Sequence, residues 1–494
     1  MYFNTILDAV ASYSEKTPEK ICLIDSDNKN EITYKDFWFA ALSFSEELQR
    51  NGLQKGDRVV VRVGKIIETS IAQFGINIAG GVYCPVEKQI KELKILEMMD
   101  YFDSNFVIST EHLDFNGVWY NLSGLSDYSK ESYNKIKMEL PNENDLCTII
   151  FTTGTTGKAK GVMLNYKALA VFSDIRMNVL GITEKDTMLW TTPLDRVGGM
   201  RASFIAFITG ATAVYCDGII FLNDFYKAIE KYNVTALYLN SFTAVIILKN
   251  APEKLTKYSE QIRVTSFGGG FMPEKYKNLA MQYLPKTRLV IFYGSAEVST
   301  ISSFEYNNNI GKVNCVGKPH PGTKVYFLND SLTNIINTSK DAFGIVACES
   351  LCSMQGYWKD DELTEHTIKN GRILMTDVGY SDNDGYIYLI GRRDDVIVSG
   401  GYKIAPYEIE DIALQIPFIS ECICISSPND TLGAIPKLFV MMHSGSEFSS
   451  KDIYDYLSER LETYKLPRII REIESFPRIG SSQKIDRKAL RIYD

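Results

Sequence analysis

The stretch Thr152-Thr153-Gly154-Thr155-Thr156-Gly157-Lys158-Ala159-Lys160-Gly161 decides how this chain is interpreted. It contains four hydroxyl side chains, three glycines and two lysines, and it follows an apolar run at 147–151 that predicts a buried strand. Glycines let the backbone fold tightly enough to aim several N–H groups at one anion, while the hydroxyls and Lys160 add donors and positive charge. The stretch therefore predicts a loop that binds phosphate.

This loop differs from the P-loop pattern G-x-x-x-x-G-K-[ST]. Thr152 stands where that pattern has its first glycine, and Ala159 follows Lys158. Taken alone, the loop can also be interpreted as a flexible polar turn, because Gly, Thr and Lys are common in turns. The residues downstream of it decide between the two interpretations.

Length and composition limit the class of protein. A chain of 494 residues exceeds the roughly 250–300 residues that one core usually organises, so we expect two or more domains. Hydrophobic residues make up 45% and charged residues 23%, which is typical of a soluble globular protein. The net charge of −8 argues against general nucleic-acid binding.

The cysteines, the histidines and the hydropathy of the sequence indicate the cellular compartment of the protein and the kinds of site it lacks. The nine cysteines form no C-x-x-C framework, which predicts reduced thiols in the cytoplasm. The first residues lack the pattern of a signal peptide, and no apolar run reaches the ~18 residues of a membrane helix, so we expect a cytoplasmic protein without a membrane span. The histidines are too dispersed for a zinc site or a catalytic triad, and we interpret each as a surface or packing residue: His112, His320, His366 and His443.

Apolar runs alternate with helical patterns through the first three hundred residues. Strands are predicted at 59–63, 237–239 and 289–292 and an amphipathic helix at 68–79, which favours an α/β fold of layered, mainly parallel sheets. From 313 to 389, short β-rich pieces predict a small barrel or distorted sheet. We divide the chain into an N-terminal domain at 1–390, a charged hinge at 391–395 and a small α+β domain at 396–494.

Further polar motifs follow the phosphate-binding loop. Glu297, in Tyr293-Gly294-Ser295-Ala296-Glu297, comes directly after a predicted strand, where a carboxylate can hold Mg²⁺. Asp377 can accept both hydroxyls of a ribose. The alternatives are an exposed loop glutamate, a turn aspartate and, for Lys484-Ile485-Asp486-Arg487, a basic surface patch.

The order of these motifs resembles that of the adenylate-forming superfamily, which comprises acyl- and aryl-CoA synthetases, adenylation domains of peptide synthetases and luciferases. The resemblance covers nearly the whole chain. The stretches that carry it are 152–161, Gly268-Gly269-Gly270, Tyr293-Gly294-Ser295-Ala296-Glu297, Val316-Gly317-Lys318-Pro319, Met354-Gln355-Gly356-Tyr357-Trp358, Asp377, Gly391-Arg392-Arg393-Asp394-Asp395, Ser399-Gly400-Gly401-Tyr402-Lys403-Ile404 and Lys484.

The resemblance implies a role for each of these motifs. The ATP phosphates would be held by Thr152, Thr153, Gly154, Thr155, Thr156, Gly157 and Lys160, and the rest of ATP by Gly268, Gly269, Gly270, Tyr293, Gly294, Ser295, Ala296, Asp377 and Arg392. Glu297 would bind Mg²⁺, and Lys484 would bridge the substrate carboxylate and the α-phosphate. The implied catalytic groups are Lys484, Glu297 and Lys160, since cations neutralise the charge that develops when one anion attacks another.

The reaction implied by the resemblance has two halves. A small carboxylic acid attacks ATP to give an acyl-AMP and pyrophosphate, and the thiol of CoA or of a carrier protein's pantetheine then displaces AMP. Between the halves the mobile C-terminal domain would rotate about Asp394, removing Lys484 and bringing Gly401 towards the thiol. We expect a monomer or a homodimer.

The chain departs from the family pattern at Ala159, Ala296, Met375-Thr376 and Gln483. Loss of the usual hydroxyl at Ala296 removes one hydrogen bond to a charged group, worth about 1.5–3 kcal/mol. All the charged groups of the motifs are present, which favours an active enzyme over a degenerate nucleotide-binding relative.

The stretch Thr192-Pro193-Leu194-Asp195-Arg196-Val197-Gly198-Gly199 bears on the substrate. Arg196 is a candidate to contact the substrate carboxylate or a second acidic group, and Gly270 a candidate to border the acid. The alternative is an internal ion pair such as Asp195–Arg201. Val197 aligns with the aspartate that amino-acid-activating domains use, which favours a non-amino acid. Asp195 would take that place if the alignment shifted by two residues.

The leading prediction is an acid–thiol ligase that forms an acyl-CoA. A stand-alone adenylation enzyme that loads a carrier protein is the alternative within the same fold. A non-catalytic nucleotide-binding protein is the alternative of another class, and a luciferase-like oxidase is a more remote one.

Overall fold

The computed structural model of the protein describes residues 3–130, 140–153, 159–216, 222–479 and 484–492. Several residues named above lie outside these ranges: Gly154, Thr155, Thr156, Gly157, Lys158 and Gln483.

A large mixed sheet forms one half of the body. Its strands are β1 (Ile21–Asp25), β2 (Asn30–Thr33), β9 (Thr187–Trp190), β10 (Thr212–Tyr215), β11 (Ala236–Asn240), β12 (Val264–Gly268), β13 (Arg288–Tyr293), β14 (Ser302–Glu305), β15 (Cys315–Pro319), β16 (Lys324–Leu328), β17 (Gly344–Glu349), β19 (Ile368–Lys369), β20 (Arg372–Ser381) and β21 (Ile387–Arg392). They run in the order β16-β17-β20-β21-β15-β14-β13-β12-β11-β9-β10-β1-β2, with β19 paired to β20. The stretch from β13 to β1 is parallel, as the alternating sequence pattern predicts.

A smaller sheet forms the other half. Its strands are β3 (Arg58–Arg62), β4 (Val82–Val86), β5 (Phe106–Ser109), β6 (Val118–Asn121), β7 (Leu146–Thr153), β8 (Ala159–Asn165) and β18 (Gly356–Tyr357). Their order is β18-β8-β7-β4-β3-β5-β6. The β4-β7, β3-β4, β3-β5 and β5-β6 pairs are parallel, whereas β8 runs antiparallel to β7 and β18 antiparallel to β8.

Helices cover both sheets. They are α1 (Ile6–Lys16), α2 (Tyr34–Arg50), α3 (Ile66–Ile78), α4 (Glu92–Phe102), α5 (Tyr166–Leu180), α6 (Val197–Phe207), α7 (Leu222–Lys231), α8 (Ser241–Asn250), α9 (Glu274–Tyr283) and α10 (Asp361–Thr367). Short 3-10 segments lie at Leu122–Lys130, Pro252–Tyr258, Tyr306–Asn308, Arg393–Asp395 and Thr463–Lys465.

The two faces of the parallel stretch pack against different helices because strand side chains alternate between faces. Trp190 and Phe292 join one core with residues of α5 and α6, and Leu189 and Leu237 join another with residues of α7, α8 and α9. Any ligand that enters from the carboxyl edge on the first face therefore lies between the sheet and the pair α5 and α6.

The prediction of an amphipathic helix at 68–79 is wrong about its solvent exposure. The helix exists as α3, but every one of its 13 residues is buried, so it has no solvent face. One of its polar side chains has a partner inside: the Asn77 amide donates to the Cys147 carbonyl over 2.9 Å. The Gln73 Nε2 and Glu68 Oε2 atoms are buried without a hydrogen-bond partner among the described residues. Burial is also the main reason that the pKa of Glu68 is raised.

The β-rich region at 313–389 continues the large sheet. β15, β21, β20, β17 and β16 are antiparallel neighbours, and β14 joins β15 to the parallel stretch. Register shifts interrupt the ladders near Gly317, Ala347 and Gly379, which gives a distorted antiparallel sheet. Of the two predicted arrangements, a small barrel or a distorted sheet, the structure has the second.

The last hundred residues build cores of their own. The elements are β22 (Ile397–Ser399), β23 (Tyr402–Ile404), α11 (Pro406–Ala413), β24 (Ile419–Asn429), β25 (Gly433–Met442), α12 (Ser450–Ser458), β26 (Ile469–Glu472), β27 (Arg478–Ile479), β28 (Lys484–Ile485) and α13 (Arg487–Leu490). Two apolar clusters contain residues of this part alone. The Phe271 and Tyr407 rings stack 4.5 Å apart and connect it to the N-terminal part.

The structure shows the state of the cysteine side chains and the length of the apolar helices. All nine cysteines are buried and free. Within the described ranges, no helix is long and apolar enough to cross a membrane.

Asp411, on α11, generates a prediction for the dependence of stability on pH. Burial raises its pKa to about 7, Glu274 and Glu410 add to the rise and Lys277 opposes it. Because the folded pKa exceeds the unfolded value of 3.8, the stabilisation by protonated Asp411 is complete below pH 3.8 and is lost progressively as the pH rises to about 7. At pH 8 we expect Asp411→Asn to unfold at a higher temperature than the wild type, with a free energy of unfolding that is larger by about 1–4 kcal/mol. At pH 4 the difference should be much smaller.

Thermal unfolding at the two pH values, followed by circular dichroism, checks this prediction. The exposed Asp430, in the same part of the chain, supplies the matched variant Asp430→Asn, which should show no such difference. Equal behaviour of the two variants would contradict it.

Candidate active site

The glycine run 268–270 forms an open ledge at the carboxyl edge of the large sheet. Gly268 ends β12, and Gly269 has a φ of 76°, which favours glycine. A side chain at Gly269 would meet no atom within 4 Å, so a flat group can approach the backbone there. The Ser241 hydroxyl donates to the Gly270 carbonyl over 2.7 Å and fixes the ledge to the start of α8.

The next strand, β13, ends in the motif 293–297. A Cβ at Gly294 would lie 2.8 Å from the Ser299 carbonyl oxygen and 2.9 Å from that of Val298, so only glycine fits this turn. The Ser295 amide donates to the Val298 carbonyl over 2.9 Å and closes the turn. Ala296 packs partly buried against the core.

Asp377, to which the family resemblance gives a ribose-binding role, lies beside Tyr293 and Arg392. The Tyr293 hydroxyl donates to its Oδ2 over 2.9 Å, and Arg392 is its direct partner across β20 and β21. Burial raises the pKa of Asp377, while the bond from Tyr293 and the charge of Arg392 oppose the rise. The structure thus brings together three residues that are far apart in the sequence.

Glu297 lies beside the smaller sheet. The Tyr357 hydroxyl donates to its Oε1 over 2.9 Å, and the Lys160 ammonium lies 5.5 Å from the centre of the Tyr357 ring. Glu297 is only partly buried, so its carboxylate has the oxygen donors and access that Mg²⁺ needs. Sequence analysis quoted Tyr357 within a motif but assigned it no role, because a tyrosine gives no signal of its partner.

The phosphate-binding loop is described at its two ends. Thr152 pairs with Lys160 and Thr153 with Ala159 across β7 and β8. Tyr357, on β18, pairs with Val162 on β8, which brings Lys160 near Glu297. The centre of the loop lies outside the described residues.

Arg196 was a candidate to contact the substrate carboxylate, but in the structure it pairs with two carboxylates of the protein. Its Nη2 lies 2.6 Å from Glu87 Oε1, and its Nε lies 3.3 Å from Asp195 Oδ2. Two carboxylates already partner this guanidinium, which favours the ion-pair alternative over contact with the substrate. The pair involves Arg196 rather than the suggested Arg201.

Two arginines that sequence analysis did not assign to the site lie beneath it. Arg176 of α5 and Arg201 of α6 are 6% and 2% exposed, and among the described residues neither forms a hydrogen bond or ion pair. A charged residue inside the apolar pattern of α6 is the signal that was available, since unpaired buried charges are rare.

The predicted site residues near the C-terminus, Asp394, Gly401 and Lys484, lie on different elements. Gly401, with a φ of 89°, occupies the turn between β22 and β23, and a Cβ there would meet no atom within 4 Å. The Asp394 carbonyl accepts from Arg491 Nη2 over 3.3 Å. Lys484 is in β28, paired with Ile479. The neighbouring Arg478 guanidinium lies 5.9 Å from the Phe242 ring centre at the start of α8.

Comparison with known families agrees with this geometry. The family model of AMP-binding enzymes matches residues 10–358, and that of the AMP-binding enzyme C-terminal domain matches residues 408–483. The chain belongs to the AMP-binding enzyme family. The adenylate-forming resemblance is confirmed, and the protein is an ATP-dependent ligase of this superfamily.

Several relatives share the full length of the chain. The 2-succinylbenzoate–CoA ligase of Bacillus subtilis (strain 168) is 26% identical over 489 residues, 97% of this chain and 96% of that enzyme. The enzyme of the same name from Bacillus cereus (strain AH820) is 26% identical and covers 96% of both chains.

Solved structures share the fold. The o-succinylbenzoate CoA synthetase of Bacillus subtilis, in complex with its acyl-adenylate intermediate, has a TM-score of 0.85 at 23% identity. ATP-bound MatB from Rhodopseudomonas palustris has a TM-score of 0.87 at 20% identity. Each comparison covers 98% of both chains.

Tyr357 generates a prediction for the ATP site. We expect Tyr357→Phe to fold normally but to lower the rate of carboxylate-dependent ATP–pyrophosphate exchange by about 10- to 100-fold, because Glu297 loses the hydrogen bond that orients it. The loss should shrink as Mg²⁺ is raised, and a Mg²⁺ titration of the exchange rate measures it. Tyr380→Phe is the control, since that ring stacks on Tyr388 in the β-rich sheet. Identical Mg²⁺ curves for the two variants would count against the orienting role.

Proposed function

We propose that this chain is an acid–CoA ligase that converts a free carboxylic acid into its acyl-AMP and then into its acyl-CoA. The observation that supports this most directly is the meeting of Lys160, Tyr357 and Glu297 with Tyr293 and Asp377 along one edge of two sheets. The full-length curated relatives are CoA ligases, which favours CoA over a carrier protein as the acceptor.

In the first half-reaction the residues of this edge hold ATP. The open ledge at 268–270 accepts the adenine, and Asp377 with Arg392 holds the ribose. Thr152 and Lys160 bind the phosphates, and Glu297 holds Mg²⁺, which supplies positive charge for the oxygens of the departing pyrophosphate.

The approach of the acid requires a further cation. We propose that Lys484 places its ammonium between the substrate carboxylate and the α-phosphate, which lowers the repulsion between two anions. The position of Arg478 over Phe242 supports this assignment, because it puts the β27–β28 hairpin beside the start of α8.

The second half-reaction requires a different group near the acyl-AMP. We propose that residues 396–494 rotate about Asp394, in the hinge at 391–395, and that the turn at Gly401 then faces the pantetheine. The absence of any atom within 4 Å of a Cβ at Gly401 supports this, since the turn is open to a thiol-bearing chain. The nine free cysteines are consistent with the proposal that the enzyme works in the cytoplasm.

Lys484→Ala tests the first half-reaction. We expect ATP–pyrophosphate exchange to fall by at least about 100-fold, while ATP binding is nearly unchanged, because the lysine stabilises charge that develops only in the transition state. The exchange assay uses fatty, aryl, dicarboxylic and amino acids, with 2-succinylbenzoate included. The exposed Lys488 supplies the matched control Lys488→Ala. ATP binding without exchange for any acid in the wild type would support the non-catalytic alternative.

Gly401→Ala tests the second half-reaction. We expect acyl-CoA formation to slow by about tenfold while exchange is unchanged, because alanine strains the left-handed turn. Gly445→Ala is the matched control, since Gly445 also has a positive φ of 82° and no atom within 4 Å of its Cβ position. If the acyl group is transferred to a carrier protein that bears a free pantetheine thiol but not to free CoA, the carrier-loading alternative is favoured.

A further inference from the structure

Two buried guanidinium groups lie directly under the acid side of the site. Arg176 projects from α5 and Arg201 from α6, the two helices that cover the ledge face of the large sheet. The Arg201 Nε and Nη2 and the Arg176 Nε are buried atoms without a hydrogen-bond partner. Burying an unpaired charge is costly, so such groups normally have an anion beside them.

Aromatic rings surround the two charges without satisfying their N–H groups. The Arg176 guanidinium carbon lies 3.5 Å from the Phe292 ring centre and 5.1 Å from that of Phe172, and Arg201 lies 5.2 Å from Phe172. Cation–π contacts stabilise a buried cation, but a ring face does not accept five N–H bonds in the plane of the guanidinium. Burial lowers the pKa of Arg201 to about 10, so it stays charged at neutral pH.

A continuous series of contacts leads from the ledge to these arginines. A Cβ at Gly268 would lie 3.9 Å from the Phe292 Cβ, and Phe292 in turn contacts Arg176. Tyr238 and Asn240 lie on this same face, because strand neighbours two residues apart share a face and Asn240 pairs with Gly268. The Tyr238 ring lies 5.8 Å from the Arg176 guanidinium carbon.

Solvent reaches part of this path. Tyr238, which faces α5 and α6, is only partly buried. Asn240, at the end of β11, is also partly buried, and its side chain accepts from the Thr243 amide and donates to the Thr192 hydroxyl. Two residues along β11 correspond to about 7 Å, at roughly 3.3 Å per residue. A substrate that reacts at the ledge and extends past Asn240 to Tyr238 therefore places its far end near the arginines.

We propose that Arg176 and Arg201 form the far end of the acid site and bind a second carboxylate of the substrate, about 7 Å from the carboxylate that is adenylated. This inference rests on the proposed function and specifies its substrate class as dicarboxylic acids. Arg196 does not serve this purpose, because Glu87 and Asp195 already partner it. A guanidinium suits the planar, two-oxygen geometry of a carboxylate, and desolvation strengthens the pairing.

Matched pairs of acids test the proposal. In each pair the two acids share the reacting carboxylate and differ in the second one: 2-succinylbenzoate with 4-oxo-4-phenylbutanoate, and hexanedioate with hexanoate. We expect the wild type to show at least a tenfold higher kcat/KM in ATP–pyrophosphate exchange for the dicarboxylic member of one pair. In Arg201→Met and Arg176→Met that preference should fall by about 10- to 100-fold, because exchange with the dicarboxylic member is lowered far more than exchange with the monocarboxylic member.

Stability without substrate supplies a second readout. Methionine fills a similar volume without a charge, so we expect the melting temperature of Arg201→Met to equal or exceed that of the wild type. Arg288→Met is the matched control, because Arg288 pairs with Glu305 at the opposite end of β13. That variant should lower the melting temperature and leave the acid preference intact.

The possible outcomes separate the two proposals. Equal losses for both members of each pair, or a melting temperature of Arg201→Met that falls with the preference intact, would overturn the carboxylate site. Exchange with monocarboxylic acids alone would also overturn it but would leave the ligase function standing. Absence of exchange with every acid, despite ATP binding, would overturn the proposed function and this inference with it.

Discussion

The hydrogen bond from Tyr357 to Glu297 is the contact on which the site depends most, because it joins the two sheets. Tyr357 belongs to β18 of the smaller sheet, whereas Glu297 follows β13 of the larger one. The bond sets Lys160, at the base of the phosphate-binding loop, beside the candidate Mg²⁺ ligand.

Cationic side chains with little solvent exposure differ in whether a carboxylate lies beside them. Two other cations with little exposure have carboxylate partners: Arg487 lies 2.7 Å from Glu410, and Lys465 lies 2.9 Å from Glu408. Arg176 and Arg201 have none among the described residues. Since a buried charge without a counterion destabilises the folded chain, these two positions are best explained by a ligand that supplies the anion. This is a common compromise at functional sites, where stability is lowered so that binding energy is gained.

The C-terminal part has two apolar cores of its own and also packs against the rest of the chain. The contacts to the N-terminal part include the Phe271–Tyr407 stack, the Lys340–Glu408 ion pair and an apolar cluster that joins Ala405 to Leu328 and Ile345. A part that folds around its own core is able to keep that core when its orientation changes. This agrees with the proposed rotation about Asp394.

The sequence by itself determined the family, the α/β layers and the order of the motifs, because these depend on local patterns: apolar periodicity, glycine turns and charged residues at fixed spacing. Strands such as β3, β7 and β13 are where those patterns place them. The solvent exposure of α3 was predicted wrongly, since one helix's periodicity does not reveal that neighbours cover all of its sides. Only the tertiary structure decided that Tyr357 partners Glu297, that Glu87 partners Arg196, and that Arg176 and Arg201 lie unpaired beneath the ledge. The physical reason is that each of these facts depends on which distant side chains come into contact, and that is settled by packing between layers and not by spacing along the chain.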